Sequence, residues 1–303
     1  MIFEKLLDTS QKHNISLEAL AVLGAKLRAE SENLTLDPAL APLIEGVVAA
    51  MGFSGEQLAS LADHQRRAVA GIIRSFFWQA AELLENPDRS PGWSYEDAAI
   101  LQSQGRASMA LVPIIQKIAP ALGDLSERLA RADAAFLDVG TGVGWLAVAM
   151  AQAYPSLRVV GIDVWKPALD LAAVNIEGIR ERVTLREENV AQLRDEQLYD
   201  AVFLPGPFLP APVVATAVER ALVALRPGGW LLFGLYAPVD DPLSASLTHL
   251  RIVRSGGHPW AISELLMLLD SAGFIKTRAF ERAWQMPVTF LVGSRSDGGT
   301  KAA

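Results

Sequence analysis

The stretch from Phe136 to Ala151, FLDVGTGVGWLAVAMA, constrains the fold more than any other part of this 303-residue chain. Two apolar residues, Phe136 and Leu137, lead into Asp138; Gly140, Gly142 and Gly144 then alternate, and a helical run through Leu146, Val148, Ala149 and Met150 follows. An apolar strand, a glycine turn and a helix in that order predict a βα unit. Its turn takes up positive φ and brings bare backbone against a ligand. A fingerprint of the form G-x-G-x-x-G would need glycine at 145, where the chain has Trp145, so the spacing here is G-x-G-x-G.

The next apolar strand, within VVGIDVWKPAL (159–169), ends in Asp163, 19 residues after Gly144. In doubly wound folds a carboxylate about 20 residues past the glycine turn accepts hydrogen bonds from ribose hydroxyls, because ionised Asp has acceptors and no competing donor. Capping of the helix that starts near Pro167 is the structural alternative for Asp163. The alternating glycines, with an acid two residues before the first, resemble motif I of the class I S-adenosylmethionine-dependent methyltransferases.

Further along, the same rhythm of strand and helix continues. Val183–Arg186, Tyr199–Leu204 and Trp230–Leu235 read as strands, Ile262–Ala272 as a helix, and Phe274–Phe280 and Pro287–Gly293 as a terminal antiparallel pair. The resemblance covers about residues 133 to 295. It implies an α/β, Rossmann-like seven-stranded sheet of order 3-2-1-4-5-7-6 with the last strand antiparallel, and S-adenosyl-L-methionine as cofactor with S-adenosyl-L-homocysteine as product.

Residue by residue, the resemblance sets Asp138, Gly140, Gly142 and Gly144 around the methionine part of the cofactor and Asp163 at the ribose. Val164 and Trp165 would lie near the adenine. Asn189 stands where many members have an acid that reads the adenine amino group, and an amide carbonyl accepts the same bond. Asn189 can equally cap a short helix. Val190 would offer its N–H to the ring, and Leu204, at the end of the fourth strand, would border the cofactor.

The segment after that strand, Leu204–Pro210, holds Pro207 and Phe208 where family members commonly touch the methyl acceptor. Base-methylating members often carry an Asn/Asp-Pro-Pro-aromatic motif here, and its absence speaks against a DNA amino-methyltransferase. For a hydroxyl acceptor a base helps. His258, in the glycine-rich loop RSGGHPW, is the candidate, with Tyr236 and Trp260 as pocket walls; a structural loop role is the alternative.

Residues 1 to 130 read as a helical domain, 131–295 as the cofactor domain and 296–303 as a loose tail. Leu17, Leu20, Leu23 and Leu27 share one helical face; Asp37-Pro38 reads as a helix start; Ser54 to Gln57 fits a capping box; Val69–Leu84 and Ile100–Ile118 read as longer helices. This domain is expected either as a lid, with Trp78, Trp93 and Tyr95 lining the acceptor pocket, or as a platform that could support a homodimer. Gln104 lies in a polar patch that either holds the cofactor carboxylate or forms an exposed helix face.

Composition narrows the partners. Thirty-four acidic against 27 basic residues give a net charge of −7 with no basic block, which disfavours nucleic acid. The absence of cysteine removes disulfides, thiolate catalysis and cysteine metal sites, and the four histidines show no ligand spacing, so no metal is expected. No apolar run is long enough to span a bilayer and the opening residues do not read as a secretion signal, giving a cytoplasmic expectation without a membrane partner. The function expected is methyl transfer to a small, apolar metabolite on oxygen, nitrogen or carbon. Methylation of protein or RNA, and a non-methylating role for the bound cofactor, stay open.

Overall fold

The computed structural model describes residues 1–297. Residues 298–303, most of the expected tail, lie outside the described residues. The chain divides into two compact units, Met1–Pro87 with Ala99–Ala110, and Asp88–Ala98 with the chain from Leu111 onward. A single cut at residue 130 does not describe this division: the connector 88–98 and the helices after Ala110 belong to the sheet-containing unit.

The helical unit contains α1 (Ile2–Glu32), α2 (Ala41–Ala50), α3 (Gly55–Ala59), α4 (Asp63–Glu85) and nearly all of α5 (Ala98–Ser108). Its core is Leu23, Leu27, Val48, Leu58, Ala70 and Ile73. The capping box at Ser54 forms as the spacing predicts, Gln57 N–H donating to Ser54 Oγ (3.1 Å) and Ser54 N–H to Gln57 Oε1 (2.8 Å). Asp37 instead accepts from Ala39 N–H (2.8 Å) in a turn, and the helix starts later, at Ala41. Leu17, expected on the buried face of α1 with Leu23 and Leu27, is exposed.

The helix expected over 100–118 is two helices, α5 and α6 (Leu111–Ile118), separated at Met109 and Ala110. Pro113 explains the break. It has no N–H to give to residue 109, and it is tolerated only in the first turn of a helix, which is where it sits in α6. The apolar side chains Leu111, Val112, Ile114, Ile115 and Ile118 of α6 are buried. A short helix α7 (Leu125–Ala130) leads to the sheet.

The sheet follows as β1 (Ala135–Val139), α8 (Trp145–Ala153), β2 (Arg158–Asp163), α9 (Lys166–Asn175), β3 (Val183–Glu187), β4 (Tyr199–Pro205), α10 (Ala211–Ala224), β5 (Leu225–Tyr236), α11 (Pro242–Arg254), α12 (Ile262–Ala272), β6 (Ile275–Ala279) and β7 (Val288–Ser294). Strand order is β3-β2-β1-β4-β5-β7-β6, as the resemblance implies. The first five strands run parallel, and β7 is antiparallel to both β5 and β6. Parallel strands covered on both faces should be apolar throughout, and every residue of β1 and β4 is buried. Leu137, Val202, Leu231, Phe233 and Leu291 lie in one continuous core. Helix α11 was not anticipated from the sequence; Asp241 caps it, accepting from Ser244 N–H (2.7 Å).

Because β1 pairs with β2 on one side and β4 on the other, the direction of winding reverses between β1 and β4. Ligands of doubly wound sheets bind outside the carboxyl ends of the strands at such a reversal. The glycine turn after β1 and the loop after β4 flank that point.

Candidate functional site

The turn after β1 is built by its glycines and closed by two acids. Gly140, Gly142 and Gly144 have φ of 62°, 56° and 79°, the left-handed region in which a Cβ is strained. Gly142 is the informative one: an added Cβ would meet nothing nearer than Gly140 O at 4.0 Å, so its bare backbone borders open space. That is the cradle a ligand would fill. The turn leads directly into α8, whose first N–H groups carry the positive end of the helix dipole.

Asp163, at the end of β2, holds this turn from below. Its Oδ2 accepts from Gly142 N–H (2.7 Å) and its Oδ1 from Trp165 N–H (2.9 Å). The Val164 N–H also reaches this carboxylate; with about four acceptor positions, the group keeps capacity for a further donor such as a ribose hydroxyl. Burial raises the Asp163 pKa, and the N–H groups of Trp165 and Gly142 oppose that rise. Both expected roles are therefore compatible here: the carboxylate organises the start of α9 and has capacity left over.

Asp138 behaves differently. It is 1% exposed, and its Oδ2 accepts from Thr141 Oγ (2.7 Å), a residue the sequence reading did not single out. Burial pushes its pKa up to about 7; the Thr141 hydrogen bond opposes the rise and the nearby Asp163 charge adds to it. Asp138 thus fixes the glycine turn through Thr141 from inside the sheet.

On the adenine side, Val164 presents an exposed apolar side chain after Asp163. Trp165 is half-buried, and its indole Nε1 donates to the carbonyl of Tyr95 (2.7 Å). Asn189 Oδ1 accepts from Ala191 N–H (2.9 Å), so its carbonyl caps the short helix Val190–Gln192. Val190 and Leu204 are both buried in the core, which leaves only their backbone groups for a ligand.

Tyr95 belongs to the connector 88–98, and that connector is part of the sheet unit. Gly92 N–H donates to Arg254 O (3.1 Å), Arg89 donates to both Gly92 O (2.7 Å) and Arg254 O (3.3 Å), and the Arg89 guanidinium lies over the Tyr95 ring at 5.2 Å. Trp93 meets Tyr95 edge-on at 4.9 Å and Phe208 at 5.3 Å. The segment therefore forms a strap across the carboxyl ends of the strands. It is tied to the end of β2 through Trp165, to the loop after β4 through Phe208, and to the end of α11 through Arg254. Sequence alone shows this stretch as a turn-rich connector; only the aromatic residues hinted at more.

The loop after α11 approaches the same region. A Cβ at Gly257 would overlap the carbonyl oxygen of Pro207, so only glycine lets this loop lie against the one after β4. His258 is exposed and meets Trp260 edge-on at 4.7 Å, while the Trp260 indole N–H is buried without a hydrogen-bond partner. Tyr236, at the end of β5, has its pKa raised by burial, opposed by the charge of Arg251. The sheet unit thus brings Trp93, Tyr95 and Phe208 together, and places His258 beside Trp260.

Gln104 and Trp78 lie in the helical unit. Gln104 Oε1 accepts from Ser75 Oγ (2.6 Å) and Gln79 Nε2 (3.1 Å), an internal network between α4 and α5. Trp78 is partly exposed on α4.

Comparison with known proteins bears on this arrangement. A family described as a methyltransferase domain matches residues 136–229, from the middle of β1 to the start of β5. The release factor glutamine methyltransferase of Rhodopirellula baltica is 26% identical over 199 residues, covering 56% of this chain and 63% of that protein. The ubiquinone biosynthesis O-methyltransferase of Alkalilimnicola ehrlichii is 34% identical over 149 residues, covering 47% of this chain and 57% of that protein. The chain spans less than two thirds of the length of these curated relatives. Among solved structures, human N-acetylserotonin methyltransferase in complex with SAM superposes with a TM-score of 0.63, covering 98% of each chain at 14% identity. That last likeness is one of fold.

Proposed function

We propose, for a chain that carries a class I methyltransferase domain, that it is an S-adenosylmethionine-dependent methyltransferase acting on a small, apolar metabolite. The observation that carries the reading is the paired use of the two strand ends at the winding reversal. Gly142 leaves open space above the turn, and Asp163 retains acceptor capacity beside it. The cofactor, when bound, supplies a methyl group on a sulfonium for in-line displacement by an acceptor. Asp163 would take the ribose hydroxyls, Val164 and Trp165 would flank the adenine, and the backbone of Gly140 to Gly144 would run along the methionine portion.

On the acceptor side, the chain's contribution is alignment and exclusion of water. The strap aromatics Trp93 and Tyr95 with Phe208 make an apolar wall, and Tyr236 and Trp260 add polar atoms within mostly apolar surroundings. Holding acceptor and methyl donor in line contributes much of the rate in such a displacement. His258 is exposed next to Trp260, where it would take a proton from a hydroxyl acceptor.

A second reading, methylation of a glutamine side chain in a protein, is favoured by the curated relatives that carry that name. An amide nitrogen has to be oriented by hydrogen-bond acceptors, and the side chains of Pro205, at the end of β4, and of Gly206, Pro207 and Phe208 after it offer none. The aromatic strap also supports an apolar acceptor over a peptide amide. Transfer of labelled methyl from S-adenosylmethionine into cell extract, separated by size, tests the choice. Label in the small-molecule fraction supports the metabolite reading; label in protein selects the second reading, and label in RNA contradicts both.

A further inference from the structure

Three arginines from three helices of the helical unit gather around a single carboxylate. Arg28 of α1 donates from Nε to Glu32 Oε2 (2.9 Å), one turn further along the same helix, and Arg106 of α5 donates from Nη1 to Glu32 Oε1 (3.3 Å). The third is Arg74 of α4. Arg67 and Arg74 lie two turns apart on the face of α4 that meets α1, where Arg67 Nη2 donates to Ser31 O (2.8 Å). Gly71 and Ser75 turn toward α5: a Cβ at Gly71 would be 2.9 Å from Arg106 Cβ, and Ser75 Oγ donates to Gln104 Oε1 (2.6 Å). Arg74, between them in sequence, therefore stands in the groove where α1, α4 and α5 meet.

Its surroundings do not balance its charge. Among the described residues Arg74, half-buried, makes no hydrogen bond and no ion pair. Burial lowers its pKa, as do the charges of Arg28 and Arg106, and only Glu32 opposes them. Three guanidiniums thus face one carboxylate, and that carboxylate is already shared by Arg28 and Arg106. Two positive charges are left over, in a chain whose net charge is −7. A partly buried charge without a partner is costly, and it is relieved by losing its proton or by gaining a counter-ion. Guanidinium does not lose its proton in proteins, so the counter-ion remains. Access is open as well: Arg28 spends Nε on Glu32 and keeps its two terminal nitrogens, and its side chain is 46% exposed.

We propose that this groove is an anion site that takes a phosphoryl group, with Arg74 as its principal ligand and Arg28 and Arg106 beside it. The charge selects the class. A phosphoryl group carries about −1.5 to −2 at pH 7 and several strong acceptor oxygens, enough to cancel the surplus of the cluster. A carboxylate carries a single charge and leaves the rest uncompensated. Planar guanidinium forks also match phosphate oxygens two at a time. Nothing in this site involves the glycine turn or Asp163, so it stands or falls apart from the reading of the cofactor site.

Calorimetry and thermal unfolding of the full chain with inorganic phosphate, phenyl phosphate or acetate, all at one ionic strength set by sodium chloride, test this. Saturable binding of phosphate or phenyl phosphate is expected, with a rise in unfolding temperature that acetate at the same concentration does not give. Arg74→Met keeps the apolar stem and removes the charge; it should bind phosphate roughly tenfold more weakly or worse, as follows from losing a charge-assisted hydrogen bond. Without phosphate the same variant should unfold no lower than the wild type, because it gives up no bond and relieves repulsion by Arg28 and Arg106. Arg220→Gln, at an exposed position of α10 outside the cluster, should bind phosphate as the wild type does. Phenyl phosphate binding at least as tightly as inorganic phosphate assigns the site to a phosphate ester, and the reverse order assigns it to free phosphate. No phosphate effect beyond that of acetate overturns the proposal, as does an Arg74→Met chain that binds phosphate like the wild type, or an equal weakening by Arg220→Gln.

Discussion

Replacing Asp138 by Asn should stabilise this protein at pH 8 by clearly more than at pH 5, where about a third of the effect, on the order of 1.5 kcal/mol, is already present. The Asp138 carboxyl is fully enclosed at the end of β1, touches Thr141, and has its pKa pushed to about 7, chiefly by burial. In the unfolded chain the same group titrates near the ordinary Asp value of about 3.9. A pKa raised by folding contributes stability that is fully present below the unfolded value and is lost as pH rises through the folded one. Between roughly pH 4 and pH 7 this single group therefore removes up to about 4 kcal/mol, and relaxation around the ionised form reduces that. Asn imitates the neutral acid: its carbonyl still accepts from the Thr141 hydroxyl, and it never ionises. The expected gain at pH 8 is about 2–4 kcal/mol, a rise in unfolding temperature on the order of 5–10 °C. Urea titrations at pH 5 and pH 8, read by tryptophan fluorescence, give both numbers. Equal destabilisation of the variant at both pH values would refute the reasoning, because it would mean that the native turn depends on the carboxylate rather than on the neutral acid.

Two other substitutions probe the acceptor side. Trp165→Phe removes the indole N–H that donates to Tyr95 O and keeps the ring; losing that bond should cost about 1 kcal/mol and raise the acceptor KM several-fold. Because the Phe ring still flanks the proposed adenine position, steady-state kinetics should show the larger change in the acceptor KM and calorimetry a smaller one in cofactor affinity; a loss of cofactor affinity with the acceptor KM unchanged would contradict the role given to the strap. His258→Ala should lower turnover by roughly 10²-fold for a hydroxyl acceptor, with cofactor affinity measured by calorimetry unchanged; equal turnover removes His258 from the chemistry.

The glycine turn and the acid beside it were legible because their geometry is dictated by local backbone. A turn with three positive φ values selects glycine at 140, 142 and 144, and an acceptor at the end of β2 selects the acid at 163. The sheet order came from the resemblance alone, since a run of βα units says which elements exist and not how the strands are ordered. The strap was not legible, because its ties run from Gly92 and Arg89 to the carbonyl of Arg254 and from the Trp165 indole to the carbonyl of Tyr95. Carbonyls accept such bonds whatever residue carries them, so the sequence holds no trace of the pairing. Thr141 was missed for a related reason: its value lies in reaching back to Asp138, and a threonine in a turn ordinarily signals only a turn. Leu17 went the other way. Periodicity assigned it correctly to the apolar stripe of α1, but a stripe does not say where its partner helix stops.

The central claim, that the turn after β1 and the acid after β2 hold S-adenosylmethionine, is tested most directly by isothermal calorimetry of cofactor binding to the wild-type chain and to Asp163→Ala. Measurable binding to the wild type, weakened by roughly one to two orders of magnitude in the variant as befits a lost charge-assisted pair of hydrogen bonds, is the predicted result. Equal affinity in both proteins, or no binding to a folded wild-type chain, would contradict the account.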